Sequence, residues 1–131
     1  MGAFALATVA RLEEERLTDD GLLLPYRTES GVDGLEPGEH PFLACSFWLV
    51  EQYARTGRQA EAKILMDKLV GLAKELGLLS EEYATNERRM AGNFPQAFSH
   101  STPVRAVDAM HGVNRLSLAV DAADWVVLLN P

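Results

Sequence analysis

One cysteine stands in 131 residues, so Cys45 has no internal partner, and neither a disulfide nor a cysteine-built zinc site is available. A reducing, cytoplasmic setting is the resulting expectation. Basic residues are few beside acidic ones: 12 Lys and Arg against 19 Asp and Glu leave a net charge of −7. That balance disfavours nucleic acid and anionic membrane surfaces as partners, because both are held by clustered Lys and Arg. No apolar run approaches the roughly 18 residues a membrane span requires, the longest being Phe42 to Val50. The start, Met1-Gly2-Ala3-Phe4, lacks the basic and apolar regions of a secretory signal. Leu6 stands where a myristoylation motif needs Ser or Thr. The three histidines have no carboxylate pair at metal-ligand spacing, so no metal and no cofactor is expected.

What is present suits a packed core: 47% apolar and 24% charged residues, in one modest domain or a piece of a larger one. Ala3 to Leu17 reads as a helix through Leu6, Ala10, Glu13 and Leu17, with Arg11 and Glu15 as an i,i+4 pair. Glu13-Glu14-Glu15 reads as a solvated face, and Thr18-Asp19-Asp20-Gly21 as a turn. Leu22 to Tyr26 is too short to assign. Gly31, Gly34, Pro37, Gly38 and Pro41 then make a loop of about fifteen residues, a length usual for lids and binding loops.

Phe42 to Arg55 carries no charge before Glu51. A helix so apolar must be enclosed on every side. After Thr56-Gly57, a helix from Ala60 shows Ala62, Leu65, Leu69, Leu72 and Leu76 on one face and charges on the others, closed by Gly77. A greasy helix followed by a half-polar one implies an inner layer enclosed by an outer layer. Leu78 to Pro95 reads as a second long connection. A helix starts near Pro95 or Gln96, is kinked or restarted by Pro103, and continues through Ala106, Val107, Met110, Val113 and Leu118. The apolar tail from Asp121 has no evident place.

Three stretches carry a resemblance: PGEHPFLACSFWLV (37–50), GLLSEEY (77–83) and GNFPQAFSH (92–100). In order and spacing they resemble the C-terminal part of glycoside hydrolase family 15, which includes glucoamylases, glucodextranases and microbial trehalases. The resemblance implies an all-α architecture, part of an (α/α)6 toroid with about four helices in inner and outer alternation. The sugar site then lies where the inner helices begin. Residues 1–120 would form a C-terminal fragment of the catalytic domain, with 121–131 a divergent tail.

The resemblance further implies inverting hydrolysis of α-glucosidic bonds, with an α-glucoside or oligosaccharide as substrate. Inversion uses two carboxyl groups about 6.5–9.5 Å apart, one protonating the leaving oxygen and one activating water. The residue matching the family's general base is Glu81, with Glu82 beside it as a structural carboxylate. No Asp or Glu here matches the general acid, so the isolated chain is expected to be inactive unless missing helices complement it. Trp48 and Phe47 are candidates for an apolar wall against sugar, or equally for core packing. Glu39, in the loop before the apolar helix, is placed to meet hydroxyls or to cap that helix. Arg27 stands near a family Arg-Tyr position, although here Pro25 and Tyr26 precede it. His100 reads as a hydrogen-bonded structural histidine supporting the base loop. A non-enzymatic helical-hairpin interaction module is the rival reading, since Leu49 to Leu76 has a tetratricopeptide look; residues 83–117 supply no second copy. Self-association through the unfilled inner face is a third possibility.

Overall fold

The computed structural model describes residues 3–24 and 40–112. Its central element is the apolar helix α2 (Leu43–Arg55), which helix α1 (Ala3–Arg16) precedes in the chain. Helix α3 (Gln59–Leu72), a 3-10 turn (Lys74–Leu76), strands β1 (Glu82–Ala84) and β2 (Arg89–Ala91), and helix α4 (Ala97–Met110) complete the order.

Phe42 is the extended N-cap of α2 and offers no side-chain cap. The first helical N–H, that of Leu43, bonds instead to the Glu81 carbonyl at 3.0 Å. Leu43, Phe47, Leu49, Val50 and Tyr53 are buried, and each large apolar side chain removed from water contributes about 1.5–3 kcal/mol. Enclosure falls short of complete, because Trp48 keeps 38% of its surface exposed. The helix ends at Thr56, and Gly57 takes a φ of +83° that side chains resist.

α3 buries Ala62, Leu65, Met66 and Leu69. It packs against α2, as does α4 on another side. The expected run to Leu76 stops earlier: the chain tightens into the 3-10 turn, Lys74 adopts φ +48°, and Leu76 is 76% exposed. Gly77, at φ +63°, is the left-handed cap foreseen there.

α1 matches its predicted span but turns a different face inward. Val9 is buried and Leu12 packs on the core, whereas Leu6 and Leu17 are exposed. Glu13 is not a solvated residue, since Tyr53 and Arg58 hold its carboxylate. The Arg11–Glu15 pair forms as expected. After the Thr18 turn, Leu22 and Leu23 enter the core, and the Leu23 N–H bonds to the buried Ser46 hydroxyl at 2.9 Å.

The stretch read as a second long connection contains an antiparallel hairpin, with Tyr83 opposite Met90. A bridge between Phe42 and Glu82 ties it to the start of α2. Pro103 neither breaks nor restarts α4, which is continuous across it. Proline removes the bond its N–H would give to the Ser99 carbonyl, and the Thr102 hydroxyl, 3.4 Å away, donates to that oxygen instead. The mostly helical architecture agrees with part of a helical toroid. Among the described residues no helix is long and apolar enough to cross a membrane. Val113, Leu118 and the tail lie outside the described residues.

Candidate active site

Glu81 sits where three elements meet, and the backbone on both sides of it is tied down. Upstream, the Leu79 N–H donates to His100 Nε2 at 3.0 Å, and the Leu79 carbonyl accepts from the Gln96 N–H at 2.9 Å. Ser80 is fully buried, its hydroxyl bonded to the Glu82 carbonyl and set 3.0 Å from Met90 Sδ. At Glu81 itself, the N–H reaches the Asn93 carbonyl at 2.9 Å and the carbonyl receives Leu43. Downstream, the Tyr83 N–H meets the Pro41 carbonyl at 3.1 Å. The backbone of the residue is thereby tied to the first helical N–H of α2 and to Asn93, which precedes the start of α4.

Its side chain is half-buried and directed toward Gly92-Asn93. Oε2 accepts from the Asn93 backbone N–H at 3.3 Å and from Asn93 Nδ2 at 3.0 Å. Gly92, at φ +70°, makes room for this: a Cβ there would lie 3.0 Å from Oε2 and 3.1 Å from the Glu81 Cβ. Among the described residues none donates to Oε1.

His100 is hydrogen-bonded to the loop that carries Glu81. Its Nε2 accepts an amide hydrogen, so that nitrogen carries no proton in this arrangement. Glu82 is half-buried and placed by pairing with Ala91 and by the bridge to Phe42. Trp48 meets Phe98 edge to face, ring centroids 5.4 Å apart at 79°. The pair borders a groove of about 440 Å³ between α2 and α4, which also includes Gln52, Ser101 and Arg105. Phe47 differs from Trp48: it has no exposed surface and packs in the core, so it presents no wall to a ligand. A larger groove, about 680 Å³, lies against Leu76, Tyr83, Met90 and Phe94 and does not include Glu81. Arg27 and Glu39 lie outside the described residues.

Two features escaped the reading of the sequence. Asn93 was visible in the GNFPQ run, but its bond to Glu81 joins positions twelve apart across a hairpin. Glu51 is only 3% exposed. Its carboxylate holds Arg55 at 2.9 Å and Arg105 at 3.1 Å, stitching α2 to α4. The signal available was a lone acid within an apolar helix with Arg four residues on. Among the described residues no group of His, Cys, Asp and Glu could hold a metal ion.

The family model for glycosyl hydrolases family 15 matches residues 2–108. A trehalase of Mycolicibacterium smegmatis is 45% identical over 101 residues, 77% of this chain and 15% of that protein. A trehalase of Mycobacterium tuberculosis is 43% identical over 100 residues, 76% of this chain and 15% of the relative. Trehalase 1 of Sulfolobus acidocaldarius is 32% identical over 109 residues, 83% of this chain and 19% of its own length. The chain thus spans about 15% of the length of the first two relatives. No solved structure matches. With its family motifs gathered around Glu81 and most of its length matched, the chain belongs to glycosyl hydrolases family 15.

Proposed function

We propose that this chain supplies the general-base portion of an inverting glycoside hydrolase site acting on α-glucosidic bonds, with trehalose the first substrate to test. The observation that carries this reading is the fixed Glu81, its backbone bonded to Leu43 at the start of α2 and to Asn93, with one carboxylate oxygen bonded to Asn93 as well. The trehalase relatives favour trehalose among α-glucosides.

In the reaction, Glu81 removes a proton from water as the water oxygen bonds to the anomeric carbon. The bond to the leaving oxygen breaks on the opposite face, and that oxygen takes a proton from a carboxylic acid. No residue of this chain is assigned that acid. Residues 1–120 therefore act as a C-terminal portion of the catalytic domain, inactive alone and complemented by the remaining helices. Trp48 is the aromatic surface offered to a sugar ring, and Arg27 and Glu39 are assigned to its hydroxyls. The scarcity of cysteine supports a cytoplasmic setting. The helical-hairpin interaction reading loses its support where a repeat would continue, because the β hairpin occupies that stretch.

The test uses a complete catalytic domain containing this chain, encoded as one polypeptide or made by grafting the chain onto the remainder of the Mycolicibacterium smegmatis trehalase. It is offered trehalose, maltose and isomaltose, and the first products are read by proton NMR. Release of one β-glucose and one α-glucose per trehalose is expected. Retention at the anomeric carbon, or no hydrolysis of any of the three, would overturn the reading.

A further inference from the structure

We propose that Asn93 is a positioning residue for this site, binding one oxygen of the Glu81 carboxylate so that the other, Oε1, is the atom that takes the proton from water. The inference rests on Glu81 being the general base, as proposed above, and adds which oxygen acts and what aims it.

A glutamate has three rotatable bonds before its carboxylate, so a base on a loop needs its last torsions fixed if its lone pair is to meet one water. Three contacts do this here. The backbone N–H and the side-chain amide of Asn93 converge on Oε2, 3.3 and 3.0 Å away. Two donors on one oxygen set the tilt of the carboxylate plane more firmly than either would alone. Gly92 presses from the side, its missing Cβ leaving just the space that Oε2 and the Glu81 Cβ occupy. Asn93 is itself fixed, because its carbonyl accepts the Glu81 N–H at 2.9 Å. The two residues therefore clasp each other through backbone and side chain. With Oε2 engaged, Oε1 is the oxygen to which no described residue donates a hydrogen bond.

Misplacing a reacting group by about 1 Å can cost about a hundredfold in rate. In the complete domain, Asn93→Ala is expected to lower kcat on trehalose by about 10- to 100-fold and to leave KM within about twofold. Asn93→Asp, which keeps the shape and the backbone N–H but sets a carboxylate against Oε2, is expected to lose more. The decisive readout is a double-mutant cycle with Glu81→Gln. If Asn93 acts through Glu81, adding Asn93→Ala to Glu81→Gln lowers kcat by less than about twofold further. A merely structural asparagine would cost the same factor in both backgrounds, and that result overturns the proposal. So does a kcat within about twofold of wild type for both Asn93 variants. Failure of the base assignment is distinguishable: there, Glu81→Gln alone keeps its activity, whatever Asn93 does.

Discussion

Arg58 sets two nitrogens 3.0 and 2.8 Å from the two carboxylate oxygens of Glu13, joining the start of α3 to a helix forty-five positions earlier. The Tyr53 hydroxyl donates to the same carboxylate at 2.7 Å, and the guanidinium lies 4.2 Å from the centre of the Tyr53 ring. This cluster is what fastens α1 to a core that it otherwise enters chiefly through Val9 and Leu12.

The cluster makes part of the stability depend on acid. The Arg58 hydrogen bond holds the Glu13 carboxyl below its ordinary value of 4.5, against desolvation, which opposes it, and with help from Tyr53. A carboxylate with a lowered folded pKa stabilises fully above the unfolded value, and the gain is lost as pH falls through the folded value. Glu13→Gln should therefore cost about 1 kcal/mol at pH 7 in urea unfolding of the chain. The difference from wild type should shrink steadily as the pH is taken below about 4.5. A gap that stays constant down to pH 2 would contradict the ion pair's role.

Glu51 presents the opposite balance, a nearly buried acid between two half-exposed arginines. Removing it leaves Arg55 and Arg105 without their shared partner and opens a hole at the α2–α4 seam. Glu51→Ala should destabilise by about 3 kcal/mol, and Arg105→Ala, at the wetter end, by about 1 kcal/mol or less. Denaturant midpoints for the two variants measure this, and equal costs would speak against burial of the acid as the reason.

Cys45 tests the packing beneath α2 in a different way. Burial pushes its thiol up to about 11, with Arg16 working weakly against the shift. At pH 8 it should react with a disulfide reagent about a hundredfold more slowly than a thiol at the ordinary 9.0, since only the thiolate attacks. The rate should approach that of a free thiol once urea unfolds the chain. Rapid labelling of the folded chain would show that α2 is less enclosed there.

Helical spacing found α3 and the span of α1, though not the face α1 buries, and the uncharged apolar run before Glu51 found α2. It failed where pattern is too short or distance too great. Strands of three residues have no alternation to read, so Glu82–Ala84 and Arg89–Ala91 looked like loop. Glu13 sits in a run of three glutamates that composition assigns to solvent, and its partners lie forty and forty-five positions away. Phe47 and Trp48 are adjacent and alike in type; only the packing of α4 decides that one is enclosed and the other faces a groove. Pro103 looked like a break because the repair, Thr102 on the Ser99 carbonyl, is a side-chain act. Glu81 was legible only through the family motifs around it, since two adjacent loop glutamates say nothing by themselves.

The most direct measurement is the turnover of trehalose by the complete domain bearing Glu81→Gln, which keeps the size of the side chain and removes its basicity. The account predicts that glucose release falls by at least about a thousandfold while the thermal unfolding transition stays cooperative and near that of wild type. A variant that folds the same way and still hydrolyses trehalose at most of the wild-type rate would contradict it.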